Sequence, residues 1–258
     1  MSVDYTRQDG IARVTIQRPE RMNAVDAATT AELERIWQAI EADDTIRCVV
    51  LTGAGERAFS AGADMKAGGG QSGLDYWANA NPAGFGGIAL RQSLKVPLIA
   101  RVNGLALGGG MEMVLGADIV IAADHARFGL TEARVGRLPL DGGMVLLQRL
   151  LPRNIAAGMM LTGRMLPAVD MARFGLVNAV VPLAELDAEV DRWIADILAC
   201  APLSLRAIKA VIRQTAQLSV HEAYAARLPE LMTALGSQDQ HEGVAAFNEK
   251  RAPQWKGR

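Results

Sequence analysis

One stretch constrains this chain more than any other: Ile99–Ile119, reading IARVNGLALGGGMEMVLGADI. A strand-like run leads into a glycine triplet, and an apolar helical pattern follows. Glycine lets the backbone approach a ligand with no side chain in between. Free N–H groups at a helix start point outward and prefer negative charge. The stretch therefore predicts a strand-to-helix junction suited to a phosphate or an oxyanion. It is not a Walker loop, because no Gly-Lys-Ser/Thr follows, and it lacks the G-x-G-x-x-G dinucleotide fingerprint. Glu112 lies just inside the expected helix, between Met111 and Met113, with Val114 and Leu115 beyond. A carboxylate among such neighbours is costly unless it is paired or useful. Its place near a helix start favours the ionised form.

Around this junction the first half of the chain alternates strand and helix patterns. Ile11–Gln17 reads as a strand stopped by Pro19, and Asp26 offers an N-cap for a helix over Ala27–Ala42. In that helix Leu33, Ile36, Trp37 and Ile40 recur at spacings of three and four. Ile46–Leu51, Pro97–Val102 and Ile119–Ala122 read as buried strands. Strands separated by helices predict parallel pairing and an α/β layered core. Lys66–Gly87, which includes Gly68, Gly69 and Gly70, has no clean period; it reads as a mobile connection with one short helix.

After Pro182 the pattern turns helical: Leu183–Ala199, Leu203–Ala216, Val220–Leu235 and Gln240–Asn248, with breaks near Pro202, Ser219 and Gly236. We therefore divide the chain into a core, residues 1–200, and a C-terminal helical region, residues 201–258. That region is too short for a large core of its own. It is expected to dock on the first part or on another subunit.

The 258 residues carry 27 basic and 28 acidic side chains, a balance that argues against gripping nucleic acid. No run approaches the roughly 20 apolar residues needed to span a bilayer. The first residues, MSVDYTRQDG, lack a basic-then-apolar leader pattern, so a cytoplasmic location with no membrane partner is the default. Cys48 and Cys200 have no C-x-x-C spacing or metal-type neighbours and read as two buried, reduced thiols. His125, His221 and His241 match no catalytic pattern, and no metal cluster is legible.

Two further segments stand out. Phe59–Lys66, FSAGADMK, follows a strand by a short glycine-containing loop. Its Ala61-Gly62-Ala63 offers amides that a ligand can reach, or it is simply a tight turn capped by Asp64. Phe128–Gly143, FGLTEARVGRLPLDGG, contains Glu132 followed by turn residues. Taken alone, Glu132 reads equally well as an exposed loop acid.

At these segments the chain resembles the crotonase (enoyl-CoA hydratase/isomerase) family, and the resemblance runs nearly end to end. It opens with R-P-E-R-x-N-A at Arg18–Ala24 and continues through the glycine triplet with its Glu112. It then runs through F-G-x-x-E ending at Glu132, L-T-G-R at Leu161–Arg164 and G-L-V-N-x-V-V-P at Gly175–Pro182. It closes with E-G-x-x-A-F-x-E-K-R at Glu242–Arg251. The stretch Lys250–Arg258 also resembles carnitinyl-CoA dehydratase-like members.

The resemblance implies an α/β fold, a spiral of β-β-α units followed by a C-terminal helical trimerisation region, in a homotrimer or a hexamer of paired trimers. It implies that the Ala63 and Gly109 amides form an oxyanion hole for an acyl-CoA thioester. It assigns acid/base work on one water to Glu112 and Glu132, with Glu112 as base and Glu132 as acid in hydration. Coenzyme A, part of the substrate rather than a tightly bound cofactor, is expected along Arg18–Ala24 and Ala61–Lys66. The contacts there are Arg21, Ala24, Ala61, Asp64 and Lys66. Lys250 is expected to reach phosphate, in a neighbouring subunit's ligand; both lysines read equally well as solvated. The acyl pocket is expected to draw on Tyr76, Trp77 and Phe85.

One departure stands out. The family's hydratases commonly read P-G-A-G-G where this chain has Pro139-Leu140-Asp141-Gly142-Gly143. Leu140 replaces a glycine and Asp141 adds a carboxyl, which argues against an ordinary straight-chain enoyl substrate. The leading reading is an enoyl-CoA hydratase or dehydratase, a hydro-lyase. Against it stand an isomerase or other activity on a special acyl-CoA, and a non-catalytic scaffold. Two retained glutamates and two intact amide segments weigh against the scaffold.

Overall fold

A computed structural model describes residues 1–66 and 72–258. Gly68–Gly70, part of the expected mobile connection, lie outside the described residues. The larger sheet contains β1 (Val3–Gln8), β2 (Ile11–Ile16), β3 (Cys48–Gly53), β5 (Leu98–Val102), β7 (Ile119–Ala123) and β10 (Ala179–Val181), in the order β1-β2-β3-β5-β7-β10. A second sheet contains β4 (Ala58–Ser60), β6 (Leu105–Leu107), β8 (Arg127–Gly129) and β9 (Leu166–Pro167), in chain order. The helices are α1 (Ala27–Glu41), α2 (Gly73–Ala78), α3 (Gly109–Leu115), α4 (Gly143–Leu150), α5 (Arg153–Thr162), α6 (Ala168–Arg173), α7 (Leu186–Ala199), α8 (Pro202–Gln214), α9 (Val220–Ala225), α10 (Pro229–Leu235) and α11 (Gln238–Glu249).

The expected α/β spiral is visible in the connectivity. Strands β3, β5 and β7 of the larger sheet each lead into a short strand of the second, β4, β6 and β8, before a helix follows. From β2 to β10 the larger sheet is parallel, while β1 returns antiparallel through the Asp9-Gly10 turn. Both turn residues have positive φ, as the tight hairpin requires. Central strands of a parallel sheet are covered on both faces, which explains the nearly unbroken burial of Cys48–Leu51.

Helix α1 forms where its apolar period predicts. The Asp26 side chain accepts from Thr29 N, and Leu33, Ile36, Trp37 and Ile40 face the core. Burying a large apolar side chain such as Leu33 contributes about 1.5–3 kcal/mol. Trp37 also donates its indole N–H to the Gly86 carbonyl at 2.8 Å, so its polar tip is satisfied.

Several expectations need correction. The strand expected from Ile46 begins at Cys48. The helix expected over Val220–Leu235 is two helices, broken before Pro229, which occupies the first turn of α10. Cys48 is buried as expected, but Cys200 ends α7 and is exposed, because the chain leaves the core there. The C-terminal helices are tied to the core through α8. There Lys209 pairs with Asp118 at 2.6 Å, and Arg213 donates to the carbonyls of Arg91 and Gly116. Ile208, Ile212, Val220, Tyr224, Leu235 and Phe247 remain exposed on this region.

Candidate active site

The second sheet sets the site. Strands β4, β6 and β8 are parallel neighbours, so the chain leaves all three at the same edge. Ala61–Ala63 follows β4, Gly108–Gly110 follows β6, and Glu132 comes shortly after β8. Three segments far apart in sequence thereby meet at the carboxyl ends of adjacent strands, where ligands of parallel sheets are commonly held.

Ala61-Gly62-Ala63 and the glycine triplet are in direct contact. A Cβ on Gly62 would lie 2.7 Å from Gly109 N and 2.9 Å from Leu107 O, so no side chain fits between them. A single parallel bridge joins Val25 to Ala63, through Val25 N to Gly62 O and Asp64 N to Val25 O. That pairing turns the Ala63 N–H away from Val25. Gly109 is the first residue of α3, whose N-cap is Gly108 with no capping side chain. Among the described residues neither the Ala63 nor the Gly109 amide donates a hydrogen bond. The Phe85 ring covers Gly109 so closely that an added Cβ would lie 2.4–2.5 Å from it.

Glu112 sits in the first turn of α3, only 2% exposed. Its Oε1 accepts from Gly143 N at 2.8 Å and Asp141 N at 3.0 Å. Burial pushes its pKa up to about 8; the charges of Asp141 and Glu132 push the same way, and the two amide hydrogen bonds oppose it. Glu132 begins a 3-10 turn, Glu132–Val135. A Cβ on Gly108 would lie 3.3 Å from its Oε1, which puts this carboxyl beside the amide ridge. Its Oε2 is buried with no hydrogen-bond partner among the described residues. Burial raises the Glu132 pKa first, and Asp141 adds to the effect.

Sequence reasoning noted Asp141 only as a departure, yet the structure brings it in as a third carboxyl. It is 6% exposed, accepts a hydrogen bond from the Tyr76 hydroxyl of α2, and has its pKa raised by burial. Tyr76 and Asp141 are 65 residues apart, and no local pattern pairs them. Arg18, which the sequence shows only as the first letter of a motif, is a second such residue. It bridges Asp64 at 2.9 Å and Asp26 at 3.0 Å, and donates to the Ala24 carbonyl. It thereby ties the Arg18–Ala24 loop to the Ala61–Lys66 turn.

The remaining expected residues divide into two groups. Ala24 is buried and Ala61 half-buried beside this junction, and Arg21 and Lys66 are exposed near it. Asp64 accepts from Arg18 and from Lys66 N, which gives it the turn-capping role open to it in the sequence. Lys250 stands apart as the exposed C-cap of α11, a helix that packs against α10. Trp77 is exposed, whereas Phe85 packs on the amide ridge. Among the described residues no group of three or more His, Cys, Asp or Glu is arranged to hold a metal ion. A cavity of about 280 Å³ lies elsewhere, between α11 and the closing segment. Its acids are already engaged, Asp239 by the Lys256 and Gly257 amides and Glu242 by Arg251.

Comparison with known proteins agrees with this fold. Carnitinyl-CoA dehydratases of Shigella flexneri and Escherichia coli K12 are 40% identical over 261 aligned positions, covering 100% of this chain and 99% of theirs. An enoyl-CoA hydratase structure from Bacillus anthracis superposes with a TM-score of 0.91 at 30% identity over 100% of both chains. One from Mycobacterium tuberculosis H37Rv gives 0.89 at 32% identity, covering 100% of this chain and 99% of that one. The enoyl-CoA hydratase/isomerase family model matches residues 6–258, and the chain belongs to that family.

Proposed function

We propose that the protein is a hydro-lyase that interconverts enoyl-CoA and 3-hydroxyacyl-CoA thioesters. The observation that carries this reading is the meeting of two amides that donate no hydrogen bond with a buried and a half-buried carboxyl at one sheet edge. Loss of a proton from Cα, or addition at Cβ, draws negative charge onto the thioester oxygen. The Ala63 and Gly109 amides are suited to receive it, each donor lowering the barrier by about 2.7–4 kcal/mol. The chemistry at Cα and Cβ needs one base and one acid, and two carboxyls sharing a site divide into those roles.

The proton distribution supports the dehydration direction from the free protein. Burial favours the proton on Glu112, leaving Glu132 the readier base. Glu132 then takes the Cα proton while Glu112 protonates the departing hydroxyl. In hydration each step reverses, so Glu112 is the base toward water and Glu132 the acid toward Cα. The two carboxyls titrate as a pair, and the productive state of the pair carries one proton.

Carnitinyl-CoA, named by the curated relatives, is the first substrate to test, because its quaternary ammonium would enter a pocket holding three acids. Coenzyme A is expected along Arg18–Ala24 and Ala61–Lys66, where the exposed Lys66 is available to its phosphates. The exposed apolar side chains of the C-terminal helices support a homotrimer or hexamer, within which Lys250 would serve a neighbouring subunit's ligand. Sedimentation at micromolar concentration is expected to show an oligomer; a monomer overturns that part.

The deciding experiment follows conjugated-thioester absorbance over a series of enoyl-CoAs and 3-hydroxyacyl-CoAs, carnitinyl-CoA among them, in ¹⁸O-water. Turnover with label appearing at Cβ is expected. A double-bond shift without label replaces the hydro-lyase with an isomerase.

A further inference from the structure

Asp141 is a junction. Its N–H donates to Glu112 Oε1, its carbonyl accepts from Phe85 N at 3.4 Å, and its carboxyl accepts from the Tyr76 hydroxyl. Phe85 in turn lies over Gly109. One residue therefore touches a proposed acid/base carboxyl, the residue covering an oxyanion amide, and α2. Its carboxyl is buried and forms no ion pair with a basic side chain among the described residues. A buried carboxylate without a counter-charge is costly, so a role is needed to account for it.

We infer that Asp141, anchored by Tyr76, is a positioning residue whose charge sets how firmly the Glu112–Glu132 pair keeps its shared proton. The inference rests on the hydro-lyase reading and adds a control element to that site. The groups facing the pair are few. Asp141 and Glu132 act on Glu112, Asp141 acts on Glu132, and the amides of Asp141 and Gly143 oppose them. On the far side Tyr76 faces Asp141, with Arg137 close enough to act on Tyr76.

The signs agree along this chain of contacts. A phenol hydrogen bonded to a carboxylate favours the charged form of the acid, and here it opposes burial, the larger effect, which raises the Asp141 pKa. Burial and Asp141 both raise the Tyr76 pKa, so Tyr76 remains the donor. In its charged form Asp141 disfavours a second charge on Glu112 and on Glu132. The proton needed for expelling the hydroxyl is thus retained to higher pH than two glutamates alone would allow.

Two measurements test this with Asp141→Asn, Tyr76→Phe and the double variant. The first is the pH profile of kcat/KM. Asp141→Asn keeps the shape and the backbone contacts but removes the charge, so both limbs are expected to move to lower pH. Tyr76→Phe should move them the same way, and the double variant should match Asp141→Asn. The second needs no substrate: the urea midpoint between pH 5 and pH 9. Wild-type stability is expected to fall as pH rises, and in Asp141→Asn the fall should end at a lower pH. Limbs and midpoints that stay in place while kcat drops overturn the inference and leave Asp141 a packing role. Shifted midpoints in a protein that turns over no acyl-CoA support the charge-setting role while removing the hydro-lyase reading.

Discussion

Every residue of α3 around Glu112 is buried, whereas the turn that begins at Glu132 runs into solvent from Ala133 onward. Glu112 is held by two backbone amides. Glu132 presents a buried oxygen with no hydrogen-bond partner among the described residues. One carboxyl is fixed before any substrate arrives, and the other keeps an unmet acceptor for what arrives. The contrast teaches how one site combines orientation with capture. Fixed geometry comes from helix and backbone, while the unsatisfied group is carried on a short turn that can adjust.

The strongest way to break this comparison is to neutralise each acid. Glu112→Gln and Glu132→Gln keep shape and hydrogen bonding, and each is expected to lower kcat by about 10²–10⁴-fold with acyl-CoA binding nearly unchanged. The double variant should lose much less than the product of the single losses, since both residues serve one reaction coordinate. Steady-state kinetics beside a binding titration checks this. Near-normal turnover in Glu132→Gln with an inactive Glu112→Gln leaves a one-base isomerase.

A smaller effect separates the fixed carboxyl from the adjustable one. A methyl on Gly143 would lie 3.0 Å from Glu112 Oε1 and 2.7 Å from the Pro139 Cβ, so the anchored carboxyl must move. Gly143→Ala is expected to cost about 10²-fold in kcat, as a misplaced catalytic group does. Gly108→Ala meets Glu132 Oε1 at 3.3 Å, where the side chain can yield; strain at its φ of 54° is the main penalty. Its loss should be about tenfold or less. Equal losses in the two variants would erase the distinction drawn between the two turns.

The smallest effect is in stability. Burial holds the Glu112 proton to about pH 8 in the folded state, while an unfolded glutamate releases it near its ordinary value of 4.5. Between those values the folded state binds more protons, so stability falls as pH rises and levels off above the folded value. Glu112→Gln removes this penalty. Its gain over wild type should be absent near pH 4 and on the order of 1–3 kcal/mol at pH 8. Glu132→Gln should show a weaker gain of the same sign, because Glu132 is less buried. Chemical denaturation at the two pH values decides it.

The sequence disclosed those parts of the molecule whose signals are local. Asp26 capping α1, the β-branched run of β3 and the apolar neighbours of Glu112 are each readable within a few residues. The second sheet was not legible, because strands of two or three residues such as β4, β6, β8 and β9 are too short to show a period. Pro229 lies inside an apolar run that masks the break, although its fit to a helix start marks it. Asp141 and Tyr76 could not be paired by spacing, since four strands, β5 to β8, and helix α3 lie between them. Arg18 appeared in the sequence only as part of a motif string. Its role as a tie between two loops depends on a fold that places Asp26 and Asp64 on either side of it.

The contact between Gly62 and Gly109 bears on how such a protein can change. Main chain touches main chain there, so the spacing of the two donor amides is a property of the scaffold and not of any side chain. Side chains farther from this contact are then open to drift or to design without retuning that spacing. A lineage, or an engineer, can exchange the substrate while inheriting the electrostatics unchanged.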